Sequence, residues 1–309
     1  METDTIKNEN NFAPIALFVY NRPEHTRKTV AALSKNVGAI NSILYIFSDA
    51  ARTQNDVIAV ENVRTYIKEV SGFKNVVISK QTNNIGLAAS IIHGVSALCE
   101  QYGRVIVLED DLETSPHFLT FMNEALSFYE NTPEVMHVSG CRYPVEPFGM
   151  EDTFFLHVPL CWGWATWQRA WCTFEKDISV MKRFNNNMIQ RFSFNHAYTY
   201  WQQLEFNQSG KLNSWFIFWY ANLFLRSGLA LFPCRSLVNN IGMDDHGTNS
   251  SVTDDYNVQV SSTPIRVSAI PLIESTLGYD LHLCYFRRVR GRWGRRATRK
   301  ILRFFGLSM

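Results

Sequence analysis

Three carboxylates stand side by side in the middle of the chain, at Glu109, Asp110 and Asp111. They follow a short apolar run, residues 105–108, whose β-branched composition predicts a buried strand. In open α/β sheets, ligands bind at the carboxyl ends of strands, which is where these acids would lie. Adjacent carboxylates repel one another, so a cation or water has to compensate their charge. The pattern indicates a Mg²⁺ or Mn²⁺ site that grips a phosphorylated ligand, the alternative being a solvated acidic turn that caps the next helix.

Alternating strands and helices would position these acids. The predicted strands are 15–20, 43–47, 76–79 and one that begins at Val105, and the predicted helices between them are 24–33, 56–70 and 88–101. Polar residues close the first three strands, namely Arg22, Asp49 and Asn84. This alternation predicts an α/β fold with a doubly wound, mostly parallel sheet flanked by helices.

The first turn, residues 20–25, excludes two common nucleotide-binding classes. A dinucleotide fold needs G-x-G-x-x-G after the first strand, and a P-loop needs G-x-x-x-x-G-K-[ST]; neither pattern occurs. A phosphate would instead be held by Arg22 together with a metal ion, unless Arg22 is an exposed loop cation.

Two later stretches are also unusual. Four of the eight tryptophans lie within residues 162–171, where Trp162, Gly163 and Trp164 form a Trp-Gly-Trp sequence. Flat apolar rings suit the C–H faces of sugars, although core packing is the alternative. Asp244, Asp245 and His246 lie between two glycines in a segment that could close over a ligand or form a polar surface turn.

Composition fits an ordinary globular protein of 309 residues, with 46% hydrophobic and 19% charged residues. The polar start lacks the apolar segment of a signal peptide, and no run is long enough to span a membrane. The six cysteines show no regular spacing, which favours reduced thiols over disulfides or a zinc site.

The C-terminal segment differs from the rest. After Asp280 there are no acids but nine Arg and Lys residues, interleaved with aromatic and aliphatic side chains. This composition predicts a basic amphipathic helical tail over 281–309 that lies on an anionic membrane surface. A solvated disordered tail is one alternative. Nucleic-acid binding is another, but it is not expected because the body shows no matching basic patch.

Over roughly residues 13–249, the chain resembles GT-A glycosyltransferases. It is close in pattern to bacterial capsule and lipopolysaccharide sugar transferases and, more distantly, to the β-1,2-N-acetylglucosaminyltransferase of complex N-glycans. The resemblance rests on Val-Leu-Glu-Asp-Asp-Leu-Glu at 107–113 with Pro116 and Phe118, on Trp-Gly-Trp, and on Leu-Val-Asn-Asn-Ile-Gly at 237–242 with Asp244. It implies a GT-A domain over 1–280, with a nucleotide-binding half at about 13–140 and an acceptor half at about 141–280.

The resemblance also implies residue roles. The enzyme would transfer a sugar from a nucleotide-diphosphate donor, expected to be a UDP-sugar, to a glycan or lipid-linked glycan in surface polysaccharide synthesis at the cytoplasmic face of the plasma membrane. The metal, Mn²⁺ or Mg²⁺, would be held by Asp111, with His246 as a second candidate ligand. Candidate donor and sugar contacts are Arg22, Asp49, Asn84, Asp110, Trp162, Gly163 and Trp164.

Two departures from the family concern the catalytic base and the metal. The N-acetylglucosaminyltransferase has an Asp after a Trp at a helix start, where this chain has Phe216, which accepts no proton. The candidate bases are therefore Asp244, then Asp245 and Glu205. Related bacterial sequences tend to carry a His where this chain has Asn249. Two other functions stay open: a non-catalytic glycan- or lipid-binding protein with a decayed site, and a sugar nucleotidyltransferase.

Overall fold

The computed structural model describes residues 12–147, 149–243 and 255–304, with backbone only beyond residue 291. Within these ranges, the strands are β1 (Ile15–Val19), β2 (Ile43–Ser48), β3 (Asn75–Lys80), β4 (Arg104–Glu109), β5 (Leu112–Thr114), β6 (Val135–Ser139), β7 (Thr153–Leu156), β8 (Trp164–Trp167), β9 (Leu229–Pro233) and β10 (Val238–Asn240). The α-helices are α1 (Pro23–Ser34), α2 (Val57–Tyr66), α3 (Gly86–Tyr102), α4 (Phe118–Phe128), α5 (Gln168–Trp171), α6 (Asn186–Phe192), α7 (Tyr200–Gln208), α8 (Phe216–Leu225) and α9 (Thr276–Phe304). Short 3₁₀ turns lie at Ala39–Asn41, Gln54–Asp56, Ile67–Glu69 and Ile178–Arg183.

One large sheet contains eight strands in the order β3-β2-β1-β4-β8-β6-β9-β7. The pairs β3/β2, β2/β1, β1/β4 and β6/β9 are parallel, and the pairs β4/β8, β8/β6 and β9/β7 are antiparallel. Because β8 is antiparallel to both of its neighbours, β4 and β6 run in the same direction. Only β7 and β8 are reversed within this sheet, so the predicted mostly parallel sheet is confirmed.

Helices cover both faces of the sheet, because alternate residues of a strand point to opposite sides. In β1, Leu17 belongs to the core that contains Leu33 of α1. Its neighbour Phe18 belongs to the core that contains Ile91 and Val95 of α3. The doubly wound arrangement predicted from the strand–helix alternation is thereby confirmed.

The tryptophan-rich stretch at residues 162–171 contains a strand that was not predicted from the sequence. Residues Trp164–Trp167 form β8, inserted between β4 and β6, and all four are buried. Aromatic and β-branched residues fit such a pleated, covered surface well. The strand β7 was likewise not predicted. The predicted helix 56–70 ends as an α-helix at Tyr66 and continues as a 3₁₀ turn.

A second, two-stranded sheet pairs β5 with β10 in antiparallel register. The strand β10 comprises Val238–Asn240. Asn240 pairs with Leu112, the residue that follows the three carboxylates. This pairing brings the chain after β10 alongside the acidic turn.

The C-terminal helix α9 begins at Thr276, so the boundary predicted at residue 280 falls inside a helix. One face of its first half packs into the body, and its buried residues are Tyr279, His282, Leu283, Tyr285, Phe286 and Val289. The side chains of Arg287, Arg288 and Arg290 are exposed. Across the described ranges, no helix has both the length and the apolar character needed to cross a membrane.

Candidate functional site

The acidic turn lies at the carboxyl end of β4, beside the end of β1. The backbone N–H of Tyr20 donates to Asp110 Oδ2 at 3.1 Å. The Thr29 hydroxyl of α1 donates to the Asp110 carbonyl at 2.8 Å and accepts from the Leu112 N–H at 3.0 Å. The turn is therefore held in place by the neighbouring strand and by the first helix.

Arg22 and Asp111 form an ion pair at this edge of the sheet. Arg22 Nη1 lies 2.9 Å from Asp111 Oδ2, and the two side chains are 11% and 20% exposed. Arg22 Nη2 donates to His25 Nε2 at 2.9 Å. A guanidinium only donates hydrogen bonds, so His25 must accept through this nitrogen. The sequence prediction singled out Arg22 and Asp111 separately, and the structure brings them into direct contact.

The chain after β10 covers this ion pair. The Ile241 N–H donates to the Asp111 carbonyl at 2.9 Å. A Cβ atom placed on Gly242 would lie 1.9 Å from Asp111 Oδ2 and 2.8 Å from Arg22 Nη1. No side chain fits there unless the ion pair moves. Glycine at this position allows the backbone to approach the two charged groups.

The three carboxyl groups of the turn are adjacent and largely shielded from water, which makes their charged forms unfavourable. Burial raises the pKa of Glu109 to about 8 and that of Asp110 to about 7, and the Asp111 carboxylate adds to both shifts. Burial also raises the pKa of Asp111, while Arg22 and His25 act in the opposite direction. A bound cation would favour the charged forms of these carboxyl groups and so lower their pKa values.

The oxygen donors of the turn fit Mg²⁺ or Mn²⁺, which prefer carboxylate oxygens. Within the described ranges, no group of three or more His, Cys, Asp or Glu side chains is arranged to hold a metal ion together. Asp111 would thus be one of few protein ligands. Mg²⁺ commonly takes one or two carboxylates and completes its shell with phosphates and water. The other predicted ligand, His246, lies outside the described residues.

Asp49 and Asn84, two of the predicted donor contacts, meet at the N-terminus of α3. Asp49 accepts from the N–H groups of Ile85 and Gly86 at 3.0 and 2.8 Å, and from Asn84 Nδ2 at 3.0 Å. It also accepts from the Ala50 N–H at 2.9 Å. These four bonds use the approximately four acceptor positions of a carboxylate. Asp49 acts here as a helix cap, and its contact with a nucleobase stays a prediction.

Trp162 borders a cluster of aromatic rings on the acceptor side. It is partly exposed, and its ring meets Tyr143 and Tyr256 edge-on, with centroids 6.3 and 5.7 Å apart. Tyr143 stacks on Tyr285 of α9 at 5.4 Å and meets Phe286 at 4.7 Å. Trp162 thus has a partly free ring supported from behind by the C-terminal helix.

Trp164 has a different environment from Trp162. It is 1% exposed and lies between His137 and Trp215, with stacked centroids at 5.2 and 5.1 Å. Neither face of this indole is open to a ligand. Trp164 was predicted to contact the sugar, but in the structure it packs in the core. Gly163 between them has a φ of 66°, which glycine adopts readily and other residues rarely do.

Of the three candidate bases, Glu205 is the one within the described residues. Asp244 and Asp245 fall outside the described residues. Glu205 is exposed on α7, which packs against α6, α8 and the 3₁₀ turn at Ile178–Arg183. Phe216, at the family's Asp position, is the first residue of α8, and its ring meets Trp215 edge-on at 5.8 Å.

Three contributors to the site were missed in the sequence prediction: His25, Thr29 and Gly242. His25 is three residues after Arg22 at the start of a helix, a spacing that brings side chains together and could have identified it. The role of Thr29 depends on where α1 packs, and that of Gly242 on the β5/β10 pairing. Neither has a local sequence signal.

No protein-family model matches the chain, and neither does any curated protein. Among solved structures, the chain is similar to S. aureus TarS, with 14% identity and a TM-score of 0.28 over 41% of this chain and 21% of that chain. It is similar to the mannosyltransferase PcManGT from Pyrobaculum calidifontis, solved with GDP-Man and Mn²⁺, with 11% identity and a TM-score of 0.34 over 71% of this chain and 73% of that chain. For mouse xyloside xylosyltransferase 1 in its apo form, the identity is 12% and the TM-score 0.29, over 44% of this chain and 54% of that chain. At these TM-scores, none of the likenesses decides the family or function of this chain.

Proposed function

We propose that this protein is a glycosyltransferase that moves a sugar from a nucleoside diphosphate donor, expected to be a UDP-sugar, to a hydroxyl of a glycan or lipid-linked glycan. The observation that carries the proposal is the Arg22–Asp111 ion pair at the carboxyl edge of the parallel strands, at 2.9 Å. It offers a carboxylate oxygen to a cation and a guanidinium to phosphate oxygens at the place where such sheets bind ligands. The motifs at 107–113 and 162–164 support the same function through the family resemblance.

The donor half is proposed to work through charge. Arg22 binds the diphosphate, since a planar guanidinium can donate two parallel hydrogen bonds to phosphate oxygens. Asp110 lies near the ribose and Asp111 holds Mn²⁺ or Mg²⁺. The cation, when bound, supplies charge neutralisation to the leaving diphosphate. The adjacent backbone of Gly242 helps to exclude water from these groups.

The acceptor half, at about 141–280, is proposed to place a sugar against the free part of the Trp162 ring. An indole face matches the C–H surface of a sugar, and its N–H can donate to a hydroxyl. If the reaction inverts the anomeric centre, a carboxylate removes the proton from the acceptor hydroxyl. Asp244 is the proposed base, followed by Asp245 and then Glu205. His246 is a possible additional metal ligand in the same segment.

One observation favours a different function, a non-catalytic glycan- or lipid-binding protein. Phe216, which occupies the position of the family's base, is packed against Trp215 and offers no proton acceptor. A protein of this kind would retain sugar binding at Trp162 without turnover.

The donor proposal is tested by calorimetry with UDP and Mn²⁺, combined with an assay of UDP-sugar hydrolysis. Asp111→Asn is expected to weaken Mn²⁺-dependent UDP binding by about 100-fold or more, since even indirect metal partners change affinity by 10–100-fold. Glu124→Gln, which removes an exposed carboxylate from α4, is the matched control and should leave binding unchanged. Equal binding in the two variants would reject the site. Binding without turnover of any UDP-sugar would favour the non-catalytic function.

The tail at 281–309 is proposed to hold the enzyme on the cytoplasmic face of the plasma membrane. Arg287, Arg288 and Arg290 are exposed on α9, and six further cations follow in the sequence. Each Lys or Arg near an anionic surface contributes about 1 kcal/mol of attraction. Co-sedimentation with phosphatidylglycerol vesicles should exceed that with phosphatidylcholine vesicles and fall with added salt. Equal partitioning onto both would reject this role.

A further inference from the structure

The cation-binding carboxylate is already engaged by another positive group. Asp111 Oδ2 accepts from Arg22 Nη1 at 2.9 Å, and a Cβ atom on Gly242 would lie 1.9 Å from the same oxygen. A divalent cation needs a carboxylate oxygen at about 2.0–2.2 Å. A guanidinium and a divalent cation on one carboxylate also repel each other strongly when they are shielded from water. Arg22 and a metal ion therefore make conflicting demands on Asp111.

We propose that Arg22 competes with the divalent cation for Asp111, and that a nucleoside diphosphate relieves the competition by drawing the guanidinium onto its phosphate oxygens. The inference rests on the proposed function, because it assumes that the site receives a diphosphate. Arg22 then binds the diphosphate, and its contact with Asp111 in the free protein makes cation binding depend on the donor. A guanidinium suits this exchange because it pairs with carboxylate and phosphate in the same forked geometry.

The local structure lets the guanidinium exchange partners without unfolding the turn. The Arg22 carbonyl, rather than its side chain, accepts from the Thr26 N–H at 2.9 Å at the start of α1. Arg22 Nη2 is bound separately to His25 Nε2 at 2.9 Å. If Arg22 Nη1 exchanges Asp111 for a phosphate oxygen, the hydrogen bond at the start of α1 and the Arg22–His25 bond can therefore remain in place. The acidic turn is fixed independently through Tyr20 and Thr29.

The consequence is a measurable coupling between two ligands. Coupling free energies are reciprocal, so a diphosphate that removes Arg22 from Asp111 strengthens cation binding by the same factor as the cation strengthens diphosphate binding. Without Arg22, the cation should bind more tightly alone and gain less from the diphosphate. Typical couplings correspond to about 5–150-fold, and we expect about tenfold here.

The test measures Mn²⁺ binding by electron paramagnetic resonance or calorimetry, first without and then with UDP. The proteins are the full-length wild type, Arg22→Gln and Arg27→Gln. Arg27 lies on the same helix, 3.6 Å from Glu24 and with its guanidinium carbon 4.5 Å from the Tyr66 ring centroid, so its removal changes the charge equally without touching Asp111. Arg22→Gln should bind Mn²⁺ alone about tenfold more tightly than Arg27→Gln, with a reduced enhancement by UDP.

Affinity for Mn²⁺ alone that is unchanged or weaker in Arg22→Gln, relative to Arg27→Gln, would overturn the proposal. If Arg22→Gln does not fold, Arg22→Lys is the second variant, because it keeps the charge but loses the fork that joins Asp111 to His25. It should also bind Mn²⁺ alone more tightly than the charge-matched Arg27→Lys, and failure to do so would overturn the proposal. UDP that binds none of the proteins would speak against the transferase function, while the Mn²⁺-only comparison still decides the role of Arg22.

Discussion

The donor side and the aromatic side of the candidate site are held together by different forces. On the donor side, Arg22, Asp110 and Asp111 are fixed by hydrogen bonds and an ion pair within short distances. On the aromatic side, Trp162 and Tyr143 are fixed by ring packing that extends to α9. Directional polar contacts specify where a ligand charge can sit, whereas buried aromatic area mainly stabilises the fold. Substitutions on the donor side should therefore change binding more than stability, and substitutions in the aromatic core should do the reverse.

The largest expected effect is the loss of the aromatic side when the chain ends at residue 280. This truncation removes Tyr285, Phe286 and Val289, all buried against the body. Each large buried side chain lost from a core costs about 3–5 kcal/mol. The summed losses are comparable to the total free energy of unfolding of a typical domain, about 5–15 kcal/mol. We expect no cooperative urea unfolding transition for this chain.

The matched control is a chain that ends at residue 291. It retains the six buried residues of α9 named above and removes residues 292–309. Its unfolding transition should match that of the full chain to within about 1 kcal/mol, while its binding to phosphatidylglycerol vesicles falls. A cooperative transition in the chain ending at 280 would contradict the role of α9 in the fold.

Two neighbouring tryptophans divide the aromatic side into core and surface. Trp164→Ala should lower the free energy of unfolding by about 3–5 kcal/mol, because Trp164 is fully packed between His137 and Trp215. Trp162→Ala should lower it by much less, since part of that ring is exposed, but should weaken binding of the acceptor sugar. Urea denaturation of both variants measures the difference. Equal losses of unfolding free energy in the two variants would contradict this division into a core and a surface tryptophan.

The two histidines that are buried in neutral form should each lower stability in mild acid, opposite in sign to Glu109 and Asp110, whose raised pKa values make stability rise as the pH falls. Burial lowers the pKa of His137 to about 3 and that of His282 to about 4. His137 Nδ1 accepts from Trp219 Nε1 at 3.1 Å while Nε2 donates to the Leu160 carbonyl, so protonation breaks the Trp219 bond. A lowered folded pKa gives stability that is complete above about pH 6.5 and lost below it.

The size of this acid effect follows from the pKa shifts. Between pH 7 and pH 5, each histidine should contribute a loss of about 2 kcal/mol, at about 1.4 kcal/mol for each pKa unit. Urea denaturation across this range measures it. His137→Gln should be less stable at pH 7, and between pH 7 and pH 5 its change in stability should lack this loss of about 2 kcal/mol relative to wild type. A pH dependence equal to wild type in this variant would rule out His137 as the cause.

The sequence predicted the donor side better than the aromatic side for a physical reason. Arg22, Asp110 and Asp111 each lie directly after a buried strand, so local strand patterns are enough to place them on one edge of the sheet. Trp162 and Tyr285 lie more than a hundred positions apart, and no local pattern indicates that α9 supports the tryptophan loop. The strand β8 was missed because a buried aromatic run suits a strand and a loop near a ligand equally well.

Gly242 tests whether a single methyl group can disturb the donor side alone. Its built Cβ lies 1.9 Å from Asp111 Oδ2, so in Gly242→Ala either the backbone after β10 or the ion pair has to move. Overpacking of this kind costs about 1–3 kcal/mol. Because the displaced groups are Asp111 and Arg22, UDP and Mn²⁺ binding should fall more than stability does. Gly291→Ala on α9, where a Cβ meets nothing within 4 Å, should change neither binding nor fold and is the control. Gly242→Ala with wild-type binding would show that the positions of Asp111 and Arg22 beside Gly242 are not needed for the ligand.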